Sequence, residues 1–446
     1  MSKMTSAAAA IAAPAPPADS SALTRWLRRD GFAILDQALF YGANFVANVL
    51  LARWLGPSAY GAFAVGLSIF YLAGALHTAV LTEPMMVFGG RKYAGDFQWY
   101  VGLLLKYHWP VAGIGAVAIA AGAFLIQRIG SPAMANALWG VAAATPFILY
   151  AWFVRPACYV RRVAQWAALG SGVYAIVVLG IIAELEHAHA LTPLTGFGAM
   201  GAASLIGALA TTLLLGPHWR ETASERAARR GVFADHWAYG SWNAIATVAQ
   251  WSSSQILIVL TPIFLNLEAA AAIGVMSVLM RPLFPVIRSI TPLMLPRVTS
   301  EIGVAGRMRD LRRYVLGWLG VCGGGALLYG LAVTIFYEPI ARHFFGGKYH
   351  GYASLVLLFG LAYAASAAVQ VMSVVIRAAG QTRLIALIWS APGVVTLLLA
   401  LPAFMSGSLV AVVGVFALSY WVALAIAIWK GAASLTRAPE AAAAEG

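Results

Sequence analysis

The sequence predicts an all-α polytopic membrane protein, with about twelve transmembrane helices arranged as two six-helix lobes. Three observations predict it. First, 61% of the 446 residues are hydrophobic and only 10% charged, with mean hydropathy +0.80, whereas a soluble domain is about 45–50% apolar and about 25% charged. So few charges cannot clothe a water-soluble surface, which excludes a soluble enzyme and a disordered chain. Second, the apolar residues come in runs near the ~20 residues that a bilayer-crossing helix needs. The ~10-residue alternation of a membrane β-barrel does not occur. Third, the basic residues fall on alternate connections between these runs.

The elements follow in order. Residues 1–30 form a leader rich in Ala, Pro and Ser, expected to be disordered and cytoplasmic. Its Ala7–Ala13 run is too weakly hydrophobic for a secretory signal, and Arg25, Arg28 and Arg29 precede the first strong apolar run as an anchor. Six spans are expected at about 31–51, 59–81, 98–126, 133–154, 163–183 and 194–216, making an N-terminal lobe over 31–216. The most polar internal stretch, with Arg220, Arg226, Arg229 and Arg230, then reads as a cytoplasmic linker over 217–236. Six further spans at about 237–260, 269–295, 314–336, 351–376, 384–404 and 409–429 make a C-terminal lobe over 237–430. A disordered Ala/Glu tail over 431–446 is expected on the cytoplasmic side. Cys158 and Cys322 lie in or beside apolar runs and read as buried spectators rather than a disulfide framework.

Orientation follows from Lys and Arg. The connections on the side of the N-terminus hold 22 of the 29 basic residues, and the opposite connections hold four: Arg53, Arg128, Arg342 and Lys348. The remaining three, Lys106, Arg281 and Arg288, fall within spans. Excess positive charge marks the cytoplasmic side, so both termini are expected there. The net charge of +13 is thus a matter of topology and does not point to nucleic acid. The outward loops are all short, which leaves no external domain for glycan-joining chemistry.

A weak internal repeat supports two equivalent halves. Leu55-Gly-Pro-Ser-Ala-Tyr-Gly-Ala-Phe63 and Leu265-Asn-Leu-Glu-Ala-Ala-Ala-Ala-Ile273 each precede the second span of a half. Arg155-Pro-Ala-Cys-Tyr-Val-Arg161 and Arg377-Ala-Ala-Gly-Gln-Thr-Arg383 each follow the fourth, on the inward side.

Polar residues inside spans are the candidate site. Gln37, Tyr41, Asn44 and Asn48 in the first span share one helix face with the same spacing as Asn243, Thr247, Gln250 and Ser254 in the seventh. Two readings stand: hydrogen bonds that glue helices, or a wet face lining a central cavity. In the eighth span Arg281 and Arg288 are seven residues apart among Pro282, Pro285 and Pro292. A mid-bilayer arginine costs at least ~2.5–3.5 kcal/mol, so Arg281 is expected to serve a substrate or counter-ion, while Arg288 is near enough the interface to snorkel. Lys106 and His108 sit in the inner half of the third span, His77 and Glu83 close the second, and Asp36 lies in the first. Asp36, Glu83 and His77 are candidates for ion coupling or counter-charge. No zinc spacing, phosphate loop, nucleophile elbow or paired carboxylates occur, so no catalytic residue, metal or cofactor is expected.

The stretch Leu51-Ala-Arg-Trp-Leu-Gly-Pro-Ser-Ala-Tyr-Gly-Ala-Phe63, with Phe345-Gly-Gly-Lys-Tyr349 and Arg377-Ala-Ala-Gly-Gln381, resembles the bacterial polysaccharide transporters. These are the O-antigen and exopolysaccharide flippases of the multidrug/oligosaccharidyl-lipid/polysaccharide exporter superfamily. The resemblance implies a V-shaped, two-lobed transporter in the bacterial inner membrane whose lumen is lined by helices 1, 2, 7 and 8. It would carry an undecaprenyl-diphosphate-linked oligosaccharide between leaflets, with membrane lipids around it and a glycan polymerase as a partner in the pathway. Protons or sodium are the candidate coupling ions. On this reading Arg281, Arg288, Lys106, Asn44, Asn48, Asn243 and Gln250 would meet the diphosphate and sugars. The second half departs from the motif, with Asn266-Leu267 in place of Gly56-Pro57. The alternatives are a cation-coupled multidrug or metabolite antiporter of the same superfamily, which would want lumenal carboxylates, and a glycan polymerase or ligase, which would want a large outer loop.

Overall fold

The computed structural model describes residues 20–219, 222–302 and 307–444, with side chains from 31 to 431 of these except at 224, 246, 288, 292, 382 and 383. It is all-helical, with no strand among the described residues. The first half comprises α1 (Ser20–Trp54), α2 (Pro57–His77), a π-helical turn (Thr78–Thr82), α3 (Glu83–Gly89), α4 (Phe97–Ile129), α5 (Pro132–Val160), α6 (Ala164–His187) and α7 (Pro193–Leu215). The second comprises α8 (Ala223–Phe264), α9 (Leu267–Met280), α10 (Leu283–Glu301), α11 (Met308–Trp318), a second π-helical turn (Leu319–Gly324), α12 (Gly325–Ile335), α13 (Tyr337–Phe344), α14 (Ala353–Ala378), α15 (Thr382–Met405) and α16 (Leu409–Ala444). Among the described residues, eleven helices are long and apolar enough to cross a membrane, or twelve when the bent pair α9–α10 is taken as one span. This is a multi-pass membrane protein.

Helix starts are set locally. Pro57, Pro132 and Pro193 open α2, α5 and α7, where the missing N–H costs nothing and the fixed φ suits a helix. The second half begins α9 by another route: the Asn266 side chain accepts from the Ala269 N–H at 2.7 Å, an N-cap. The departure Asn-Leu for Gly-Pro is thus two solutions to one task, starting the second span of each half.

The expected 217–236 linker is shorter in the structure. A reciprocal capping box between Thr222 and Glu225 starts α8 at Ala223, so the connection after α7 ends at Thr222. The leader and tail also differ from the expectation, with helix from Ser20 and on to Ala444. Alanine-rich sequence with few breakers favours that state.

The two halves repeat the same packing. Within the first, α1 packs on α6, α2 on α5, α4 on α5, α5 on α7 and α6 on α7. Within the second, α8 packs on α15, α10 on α14, α12 on α14, α14 on α16 and α15 on α16. Each pair is the same pair of spans moved on by six. In a bilayer this packing is driven by close fit and interhelical hydrogen bonds, so small residues sit at the crossings. The Gly330 and Gly360 backbones meet directly between α12 and α14.

The lobes join along α2, which packs on α9 and on α8. A Cβ at Gly61 would lie 1.8 Å from the Leu267 carbonyl oxygen, and one at Gly274 would lie 2.8 Å from the Ala64 Cβ. Past Arg281 the chain turns by 54° into α10, because Pro282 cannot continue the hydrogen-bond ladder. From there α10 packs on α14 and α11 of its own lobe. The result is a V, closed where α1 ends and α9 begins, and parting where α10 diverges.

Candidate functional site

Arg281 stands at the apex of the V. It caps α9 at the break, so its side chain leaves the C-terminal lobe where the lobes begin to part. One guanidinium nitrogen donates to the Tyr71 hydroxyl of α2 at 2.9 Å, and the guanidinium carbon lies 6.0 Å from that ring's centre. Tyr71 in turn stacks near Trp152 of α5, centroids 6.4 Å apart. Among the described residues no carboxylate pairs with Arg281. A half-buried guanidinium oriented by one neutral hydroxyl keeps most of its five donors for an anion. Arg288 belongs to α10, and its side chain lies outside the described residues. The seven-residue spacing that would align the two arginines on a straight helix is broken by the bend between them.

The polar stripes of the two halves meet different surroundings. Asn44 accepts from the Tyr174 hydroxyl at 3.0 Å and donates to the Phe40 carbonyl at 2.8 Å. Asn48 is buried and donates to the Asn44 carbonyl at 2.8 Å. Both are therefore turned into the packing of the N-terminal lobe, Asn44 as interhelical glue to α6 and Asn48 with its one hydrogen bond inside its own helix. In α8, Gln250 is exposed, and Asn243 donates to the Glu83 carboxylate across the lobe boundary. Lys106 does not stand open to the cleft either: it donates to the Trp219 carbonyl at 2.9 Å, tying α4 to the connection between lobes.

Asp36 is the most heavily engaged acid. It is fully buried, and Arg155 grips it through Nε at 3.0 Å and Nη2 at 2.7 Å. Tyr159 and Ser171 also donate to it. The Arg155 guanidinium lies 3.8 Å from the centre of the Phe40 ring. A bidentate arginine and two hydroxyls saturate the carboxylate's acceptor sites. The sequence places Arg155 in a loop and misses this role, since the fourth span was expected to stop at 154. α5 runs on to Val160, which adds Arg155 to Lys106, Arg281 and Arg288 as a fourth basic residue inside a helix span. The available signal was Asp36 itself, because a buried acid requires a cationic partner.

His77 and His108 form a buried pair, Nε2 to Nδ1 at 2.9 Å, and His108 Nε2 lies 3.1 Å from the Pro146 carbonyl. That carbonyl can only accept, so His108 Nε2 carries hydrogen and His108 Nδ1 accepts from His77. His77 Nδ1 is then a bare acceptor, without a hydrogen-bond partner among the described residues. At the same end of the molecule, Asp235 accepts from Lys92 and Tyr93, both at 2.6 Å, and Tyr100 donates to His236 at 2.7 Å. These contacts dock the start of α8 on the N-terminal lobe. Among the described residues no group of three His, Cys, Asp or Glu could hold a metal ion.

No protein-family model matches the sequence, and no curated relative is similar to it. Solved structures do match its fold. One is an inward-facing multidrug resistance MATE family transporter of the MOP superfamily, with TM-score 0.68, 14% identity, and 92% of this chain and 99% of that chain covered. Another is the lipid II flippase MurJ in an inward closed conformation, with TM-score 0.66, 9% identity, and 93% and 90% covered. A eukaryotic MATE transporter matches with TM-score 0.56 and 17% identity over 95% and 99%. At these identities the likeness is one of fold alone.

Proposed function

We propose that this chain is a flippase that carries a lipid-linked oligosaccharide diphosphate across the bacterial inner membrane by alternating access. The observation that carries the reading is Arg281, at the apex of the V with no carboxylate paired to it among the described residues. A diphosphate is the ligand such a site suits. Guanidinium grips phosphate oxygens through parallel hydrogen bonds, and its field is strong where water is scarce. With α10 packed on α14 and α11 of its own lobe, a lipid tail would remain in the bilayer while the headgroup passes between the lobes. Tyr71 and Trp152 present aromatic faces beside the anion, a suitable neighbour for sugar rings. The motif resemblance to polysaccharide transporters supports the same substrate class. On the basic-residue count both termini are cytoplasmic, which makes this an inward-open form.

The fold suits a cation-coupled multidrug antiporter equally well, and MATE transporters share it. The site favours the flippase. An antiporter driven by a cation needs an acid that is free to exchange it, and Asp36 is already held by Arg155, Tyr159 and Ser171. Glu83 accepts from Asn243 at the lobe boundary.

The test is Arg281→Ala and Arg281→Lys, read as surface glycan in a complemented deletion strain, with membrane abundance measured alongside. Removing the charge-assisted grip costs ~2–5 kcal/mol of headgroup binding, by analogy with buried charged pairs at interfaces. Ala should therefore lower export more than tenfold, and Lys, a point charge, should retain part of it. Normal export from an abundant Arg281→Ala protein would sink the reading.

A further inference from the structure

The two motif loops of the sequence, nearly 300 residues apart, meet at the closed end of the V. Arg53, in the last turn of α1, donates from Nη1 to the His343 carbonyl at 2.5 Å. Lys348 donates from Nζ to the carbonyls of Arg53, Trp54 and Leu55, the last at 2.9 Å. Each lobe thus sends one cation onto the helix C-terminus of the other: Lys348 onto α1, Arg53 onto α13. A helix C-terminus holds unsatisfied carbonyls and the negative end of the helix dipole, so a cation is the matching cap. Gly346 and Gly347 carry φ of 63° and 75°, a region that side chains disfavour. They bend the loop so that Lys348 points across the boundary. Behind the cations Tyr349 and Tyr60, both buried, pack ring to ring across the lobes at 6.3 Å.

We propose that Arg53 and Lys348 form a reciprocal latch that holds the two lobes shut at this end and releases in each transport cycle. The chemistry suits a reversible closure. Both cations are exposed, and among the described residues their hydrogen bonds all go to backbone carbonyls, so on opening each group returns to water without breaking a hydrogen-bonded ion pair. A buried ion pair at the same place would be costly to separate. The contact also explains why the residues Arg-x-Leu-Gly-Pro-x-x-Tyr-Gly and Phe-Gly-Gly-Lys-Tyr occur in one chain. Arg53 and Lys348 are the two halves of the clasp, Tyr60 and Tyr349 its apolar backing, and Gly61 the point of closest approach. The inference rests on the alternating-access part of the proposed function, and its readout is lobe separation rather than export.

The experiment places spin labels at Ser58→Cys and Pro339→Cys in the full chain in nanodiscs, where Cys158 and Cys322 are buried, and measures their distance by pulsed electron resonance. The parent should show a short-distance population. Lys348→Met with Arg53→Gln should add a longer one, shifting the closed-to-open ratio on the order of tenfold. Lys348→Arg with Arg53→Lys should stay closed. Should the double variant fail to fold, Arg53→Gln alone must move the ratio in the same direction. A Met/Gln or Gln variant that is folded and keeps the parent's distribution overturns the latch. So does a Lys-to-Arg exchange that opens the lobes as far as removal of the charges.

Discussion

Replacing Gly61 by alanine should pry the lobes apart at the closed end. A Cβ there would meet the Leu267 carbonyl oxygen at 1.8 Å, its carbon at 2.7 Å and the Ala271 nitrogen at 3.3 Å. All three are backbone atoms, so no side chain can swing aside. Ordinary contact begins near 3.4 Å, so α2 and α9 would have to separate by about 1.6 Å, the difference between those distances. Overpacking of this kind costs ~1–3 kcal/mol, and here the cost falls on the closed arrangement alone, because an opened end has no Leu267 beside Gly61. That corresponds to roughly a 5- to 150-fold shift toward opening. The same pair of spin labels at 58 and 339 reads it, and export reports whether the cycle still runs. The control is Gly122→Ala on α4, where a new Cβ meets nothing within 4 Å and alanine should be neutral or gain up to ~1 kcal/mol of helix propensity. A Gly61→Ala protein with the parent's distance distribution would refute the reasoning, since it would mean the contact at Leu267 does not limit closure.

Three further outcomes follow from contacts elsewhere in the molecule. Asp36→Asn leaves Arg155 uncompensated in a buried site and should destabilise the N-terminal lobe by ~3–5 kcal/mol, with Asp36→Asn/Arg155→Met recovering much of it; thermal melting in detergent checks both. If Asp36 is a fixed counter-charge, whatever transport remains keeps its full dependence on the proton or sodium gradient, and loss of that dependence would restore the coupling role. At the closed end, hydrogen bonds from His350 and the Gly351 N–H hold the Glu338 carboxyl below its ordinary range. A depressed carboxyl contributes its stabilisation above the ordinary value and loses it as pH falls through the lowered one. The Ser58–Pro339 distance distribution should therefore broaden as pH falls below the ordinary carboxyl range, and Glu338→Gln should make it independent of pH there.

Much of this protein is determined by its sequence alone, because hydrocarbon solvation is a local demand. Each span must satisfy its own backbone within about 20 apolar residues, so the number of spans, the two halves and the prolines that bend the eighth can be read without neighbours. The repeat is legible for the same reason, as each half solves the same local tasks. What only the tertiary structure decided is where each polar side chain is spent. Asn44 and a lumen-facing asparagine obey one helical period, and only the arrival of Tyr174 from α6 shows that Asn44 faces inward. Arg155 sits one residue past the expected end of a span and looks like a loop cation until Asp36, 119 residues away, is brought against it. Lys348 and Arg53 read as stray charges on outer loops until the lobes close and make each the cap of the other's helix. Burial in lipid is imposed on a residue by its own segment, whereas hydrogen-bond partners are supplied by distant ones, and only the folded chain determines which of those arrive.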